Sequence, residues 1–196
     1  MNKEKDTLFY PRNIQKRLYF PNNGFVHSLF YLEKYLFDNF NLNEDAPISY
    51  IKQKWIYDCI EKNEFSNEVS KNLECLGSKS KDKTLSLINS FSQISNINQV
   101  DKFFKIFKEF NKIFNNLLKY EGNFSFNTSV YFQFVILIYS KKYKMNDSLK
   151  KKIKSDKKSI DIFELAFLEL FLKNFNYKIS KISYLYNVLL KFIFSK

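Results

Sequence analysis

Glycine and proline are scarce along the whole chain, and this shortage limits the folds that it can adopt. Each occurs three times in 196 residues. They are Gly24, Gly77 and Gly122, and Pro11, Pro21 and Pro47. Sandwiches, barrels and parallel α/β sheets need many tight turns, which these two residue types commonly form. The sequence therefore predicts an all-α protein, an irregular helical bundle of about eight helices.

The apolar content is high enough to exclude a disordered chain. Hydrophobic residues make up 45% of the sequence, with 23 Phe and 13 Tyr, whereas disordered chains have too little apolar area to bury. This length allows one substantial core or two small ones. The stretch 77–83 contains no large apolar side chain, so we predict a linker there between an N-terminal lobe, 1–76, and a C-terminal bundle, 84–196. A single domain is the alternative.

The most apolar stretch runs from Asp161 to Phe194, and we expect the rest of the chain to pack around it. Asp161 and Glu164 are spaced as at a helix start. The helix that follows, 161–175, is apolar on nearly all sides except for Glu169 and Lys173, which are four residues apart and favour an ion pair. Such a helix is typical of the centre of a bundle.

The last helix, 182–194, is the predicted partner of this central helix. Its expected buried side has six members: Tyr184, Leu185, Val188, Leu189, Phe192 and Ile193. Large apolar residues favour the interior, so we interpret these residues as core. A subunit interface that resembles a core remains the alternative.

Several other helices follow from apolar residues that repeat every three or four positions. The clearest is 100–120, with an apolar stripe and lysines off it. Segment 124–140 contains β-branched and aromatic residues that favour strands, but its length and its neighbours favour a helix. Trp55 lies in the apolar stripe of its own helix and is expected in the core. Arg12 and Arg17 are expected to share the basic face of a short first helix.

The net charge of +12 suggests binding to nucleic acid or an anionic membrane. However, the basic residues are almost all lysine, as in proteins from AT-rich genomes, so the charge alone predicts no ligand. The densest cluster is formed by Lys141, Lys142, Lys144, Lys150, Lys151, Lys152, Lys154, Lys157 and Lys158. This lysine cluster could bind nucleic-acid phosphates without reading sequence. The alternative is a solvated connection between two buried helices.

The usual motifs of catalysis and metal binding are missing. Cys59 and Cys75 lack zinc-site spacing and are interpreted as reduced thiols. The chain has neither GxxxxGK[ST] nor GxGxxG. For a helical enzyme, His27, Glu164 and Glu169 are poor catalytic candidates, and they form no familiar constellation. We therefore predict no catalytic residues, no metal and no cofactor, and lean against an enzyme.

Two features of the sequence bear on the cellular location of the protein. The first residues are charged rather than apolar, so we predict no secretory signal and a cytoplasmic location. No run approaches the 20 or so apolar residues that cross a bilayer, so we expect no transmembrane segment.

The order of helices from Thr84 onward, with 173–176 before a final Leu-rich helix, is similar to the helical collar of DNA-polymerase clamp-loader subunits. The similarity lies in the spacing of hydrophobic residues along these helices, and no ATPase motif accompanies it.

The sequence supports three hypotheses about function. The chain is a non-catalytic accessory or assembly subunit that contacts nucleic-acid phosphates, a protein-interaction scaffold with no nucleic-acid role, or a helical enzyme without familiar motifs. The first two require a protein partner, and the sequence leaves the oligomeric state open.

Overall fold

The computed structural model describes residues 8–40, 46–94, 100–121, 127–141, 147–155, 160–174 and 179–194. All regular structure in these ranges is helical, which confirms the predicted all-α class. The described residues form ten helices rather than about eight. The chain divides into two compact units, Met1–Ser125 (unit 1) and Phe126–Lys196 (unit 2).

The described part of unit 1 forms six helices. They are α1 (Tyr10–Tyr19), α2 (Gly24–Asp38), α3 (Ala46–Lys62), α4 (Glu68–Lys71), α5 (Glu74–Ile94) and α6 (Val100–Glu121). Helix α5 packs against α2, α3 and α6, and α2 also packs against α1 and α6. The long α5 is therefore the helix that holds unit 1 together.

The core of unit 1 is a cluster of phenylalanine rings. Phe37 of α2, Phe91 of α5 and Phe110 of α6 are fully buried, and their ring centroids lie 5.3–5.8 Å apart. Phe107 joins them, 5.3 Å from Phe110. These spacings are typical of favourable ring pairs. The apolar stripe predicted for 100–120 therefore fills the centre of unit 1.

The stretch 77–83, predicted as a linker, lies inside α5 instead. Its polar residues coincide with a kink, because Ser80 has non-helical backbone angles (φ −147°, ψ 46°). Gly77, the first residue of this stretch, is a site of close packing. A β-carbon there would lie 2.6 Å from the Phe65 ring. The division between the two units comes later in the chain, after Ser125.

The part of unit 2 that the structure describes forms four helices. They are α7 (Val130–Lys141), α8 (Asp147–Ser155), α9 (Ile162–Asn174) and α10 (Lys181–Phe194). Helix α9 packs against both α7 and α10, so it is the central helix of unit 2. The expectation that the rest of the chain packs around 161–194 was wrong for unit 1, whose helices pack around α5. The segment with strand-favouring residues is helical over Val130–Lys141, as predicted, and 124–126 lie outside the described residues.

Carboxylates at the start of α9 connect it to α7. Asp161 accepts a hydrogen bond from the backbone N–H of Phe163 at 3.0 Å, as expected of a helix cap. Glu164 is fully buried and accepts from the backbone N–H of Ser129 at 2.8 Å. Its charge therefore lies at the positive amino end of α7. Glu164 thus has a structural role in unit 2.

Candidate protein-binding face

Helix α10 packs against α9 along one side. Tyr184 and Val188 are buried, and the Tyr184 hydroxyl donates to the Phe163 carbonyl oxygen at 3.2 Å. Asn187 donates to the Ala166 carbonyl oxygen at 2.8 Å. Lys191 forms an ion pair with Glu169 at 2.7 Å, in place of the Glu169–Lys173 pair predicted from spacing. These contacts fix the orientation of α10 in unit 2.

The side of α10 away from α9 is apolar and open to solvent, and it reaches the edge of the α9 contact at Phe192, whose ring lies 5.9 Å from that of Phe163. Seven large apolar side chains there are between 48% and 81% exposed. They are Ile182, Leu185, Tyr186, Leu189, Phe192, Ile193 and Phe194. We call this set the outward face of α10.

The outward face corrects the predicted buried side of this helix. Of the six residues expected inside, Tyr184 and Val188 are buried, and the other four are exposed. Each residue turns an α-helix by about 100°, so Leu185 and Leu189 lie one step around from Tyr184 and Val188. Since α9 covers one side of α10, that step moves them from the core into solvent.

The outward face is large and uncharged. Lys191 is the only charged residue between Ile182 and Phe194, and it is paired with Glu169. Large apolar side chains present on the order of 150–250 Å² when fully exposed, so at these exposures the seven present roughly 800 Å². The largest apolar patch of an ordinary monomer covers about 300–600 Å². A patch of this size is typical of a binding surface.

A smaller exposed patch lies at the start of α3. Its members are Ile48, Tyr50, Ile51 and Trp55. Trp55 was predicted as a core anchor, but it is 36% exposed, and its ring lies 6.4 Å from that of Tyr35. The spacing of four residues correctly placed Trp55 on the same side of α3 as Ile51. Whether that side is buried depends on neighbouring helices, which the spacing does not reveal.

The structure places part of the lysine cluster on the helix α8. Leu149 and Ile153 are buried, while Lys151 and Lys152 are exposed on other sides of the helix. Lys150 forms an ion pair with Asp147 at 2.9 Å. Four members, Lys142, Lys144, Lys157 and Lys158, lie outside the described residues, as does the side chain of Lys154. Lys141 ends α7 and is half-buried.

The predicted lysine side of the 100–120 helix is present on α6. The lysines whose side chains are described there, Lys105, Lys108, Lys112 and Lys119, are all exposed. Lys112 lies 3.8 Å from Glu109, and Lys108 lies over the Phe104 ring at 5.5 Å. Two of these lysines therefore have contacts within their own helix.

Arg12 is buried rather than part of a basic face. It is fully buried in unit 1, and its guanidinium donates to both carboxylate oxygens of Glu33, at 2.6 and 2.7 Å. It also donates to Gln15 at 2.8 Å, and it lies over the Phe30 ring at 4.7 Å. Two features of the sequence pointed to this pair. Arg12 is one of few arginines in a chain whose basic residues are mostly lysine, and Glu33 lies among apolar residues of its helix.

His27 has a structural contact as well. Its Nε2 donates to the Phe20 carbonyl oxygen at 2.9 Å. Burial, and to a lesser extent the charge of Lys16, lower the pKa of His27 from its ordinary value. No group of three metal-binding side chains occurs among the described residues. Cys59 and Cys75 are both free thiols, and Cys59 is buried.

Among the residues that the structure covers, no helix is long and apolar enough to cross a membrane. No protein-family model, curated protein or solved structure matches this chain. Its function is therefore inferred from the geometry and chemistry of the described residues.

Proposed function

We propose that the protein is a non-catalytic helical assembly subunit that binds another protein chain through the outward face of α10. The size of this face is the observation that supports the proposal. Its roughly 800 Å² equals what one partner contributes to an interface of standard size. The catalytic candidates support this interpretation too, because His27, Glu164 and Glu169 each form structural contacts.

The arrangement of the outward face favours a helix as its partner. Ile182, Leu185 and Leu189 follow one another at spacings of three and four, so they form a continuous ridge along the helix. Such ridges pack into the grooves between the side chains of a second helix. The side of α10 fixed to α9 keeps this ridge rigid, which lowers the entropic cost of binding.

Photo-crosslinking in cells tests the proposal. A photoreactive p-benzoylphenylalanine at Leu189 should give a covalent adduct with a protein, because this position would be covered by the partner. The same group at Lys112, on the exposed side of α6, is the control and should give little adduct. Equal yields at the two positions, or no protein adduct at Leu189, would contradict the proposal.

A second candidate function is contact with nucleic-acid phosphates through the lysine cluster. The arrangement of α8 favours it, because the helix buries Leu149 and Ile153 and leaves Lys151 and Lys152 in solvent. Lysines held on a helix can follow a phosphate backbone, and each phosphate contact releases a counterion. Binding of this kind would be insensitive to sequence and would weaken steeply with salt.

A further inference from the structure

We infer that the partner on the outward face of α10 is a second copy of this chain, packed with its α10 antiparallel to the first. This inference rests on the proposed assembly function and names the partner for the same face. Three features of the helix support it: its area, its lack of charge and the spacing of its apolar residues.

The area of the outward face suits a two-fold dimer. In such a dimer the same patch is buried on both subunits. Two faces of roughly 800 Å² would bury at most about 1,600 Å² in total, the standard size for a stable interface, and less because Phe194 lies about 160° around the helix from Phe192.

The charge distribution also suits self-association. Each copy carries a net charge of +12, so a basic interface would place lysines against lysines. The outward face avoids this repulsion, because the nearby Lys191 is neutralised by Glu169 of its own chain. In an antiparallel pair, Lys181 at the start of one α10 lies near the carboxyl end of the other, where the helix dipole favours a cation. A parallel pair would bring the two Lys181 side chains together.

The spacing of the apolar residues gives a register for the antiparallel pair. Ile182, Leu185, Leu189 and Phe192 are separated by three, four and three residues, the pattern of a coiled-coil seam. An antiparallel pair centred on residue 187 places Ile182 opposite Phe192 of the other copy. It also places Leu185 opposite Leu189. Each of the four side chains then meets an apolar side chain of comparable size.

Sedimentation velocity over a range of concentrations tests the dimer. The wild-type chain of 23.7 kDa should sediment as a monomer–dimer equilibrium. Dimerisation should strengthen with added salt, which screens the repulsion between the two positive chains. Leu189→Lys should raise the dissociation constant by about 30-fold or more, because it places a charge in the centre of an apolar interface.

Ile51→Lys is the matched control for this change. Ile51 on α3 is exposed to nearly the same degree as Leu189, 64% against 60%, and the substitution adds the same charge. It should leave the dissociation constant within about threefold of wild type. Circular dichroism should show both variants folded, because neither side chain is buried.

A disulfide experiment tests the register. A mixture of Leu185→Cys and Leu189→Cys chains should form an intermolecular disulfide between the two variants under mild oxidation. Each variant alone should form much less. A disulfide that forms mainly within the Leu185→Cys sample would indicate a parallel pair and overturn the antiparallel register.

Two results separate this inference from the proposed function. A wild-type chain that stays monomeric at every concentration would overturn the dimer. If Leu189 still gives a photo-adduct with a different protein, the assembly function stands and the partner is another chain. If Leu189 gives no protein adduct either, both fail.

Discussion

Breaking the buried Arg12–Glu33 pair is expected to cost unit 1 much of its stability. In Arg12→Met, the Glu33 carboxylate keeps its place in the core of unit 1 but loses both guanidinium donors. The methionine fills space near Phe30 but supplies no hydrogen bond. The change therefore leaves a buried carboxylate without the guanidinium that faces it.

The burial of the pair determines how much stability the change should cost. Both side chains of the pair are 0% exposed, so water cannot replace the missing donors. Removing one partner of a buried ion pair costs about 3–5 kcal/mol, against a total stability of about 5–15 kcal/mol for a domain. Arg12→Met should therefore lower the free energy of unfolding by about 3–5 kcal/mol.

Urea denaturation measures this loss. Trp55 is the only tryptophan and lies in unit 1, so its fluorescence reports on the unit that contains the pair. Arg17→Met is the matched control, because Arg17 is the other arginine of the chain and is exposed. It should change the free energy of unfolding by less than about 0.5 kcal/mol.

A double variant separates the pair from its two members. Arg12→Met with Glu33→Met removes both charges, and such replacements are often neutral or stabilising compared with the intact pair. The double variant should therefore be more stable than Arg12→Met alone. The reasoning is refuted if Arg12→Met costs less than about 1 kcal/mol, or if the double variant is destabilised by the sum of the two single effects.

Three further predictions concern the core, the lysines and pH. Leu168→Ala should destabilise unit 2 by about 2–5 kcal/mol in a chemical melt, because Leu168 is 1% exposed; an unresolved change would mean that this side of α9 is not core. Stability should fall as pH drops through about 6.5 and level off below the lowered pKa of His27, because the unfolded chain takes up the proton first. In His27→Gln this loss of stability should be absent from melts across the same pH range. A dependence of stability on pH equal to that of the wild type would contradict a role for His27. If the lysine cluster binds phosphates, glutamine at four of its positions should flatten the dependence of log affinity on log salt by about one unit for each phosphate that is no longer bound. Folding should be unchanged, and an equal slope in an anisotropy titration would contradict phosphate binding by the cluster. The four positions are Lys150, Lys151, Lys152 and Lys154.

Local patterns in the sequence were sufficient for the fold class and for several helices. The scarcity of glycine and proline predicted the all-α class, and the alternation of phenylalanine and lysine predicted α6. The central position of α9 in unit 2 followed from apolar residues on nearly all its sides. In each case the information lies within one stretch of chain.

Features that depend on contacts between helices were not predictable in this way. The spacing in α10 identified its apolar residues, but the number of its sides that meet another helix depends on the packing of α9. Trp55 was misplaced for the same reason. The polar stretch 77–83 looked like a linker, because a sequence pattern does not separate a kinked helix from a break in the chain.

Arg12 was misjudged for a different reason. The composition of the whole chain was used to discount its basic residues, although an AT-rich genome raises the lysine content rather than the arginine content. A planar guanidinium can bind a carboxylate through two parallel hydrogen bonds, which lysine cannot do. The combination of a rare arginine and an acidic residue in an apolar stripe was therefore the informative signal.

The accessibility of the outward face in cells tests the central claim most directly. Leu189→Cys lies on this face, and Lys112→Cys lies on the exposed side of α6. A thiol reagent is added to intact cells, and labelling of each cysteine is compared with labelling after denaturation. If α10 binds a protein chain, Leu189→Cys should be strongly protected and Lys112→Cys should be labelled readily. Equally rapid labelling at the two positions would contradict the claim that this face is an interface.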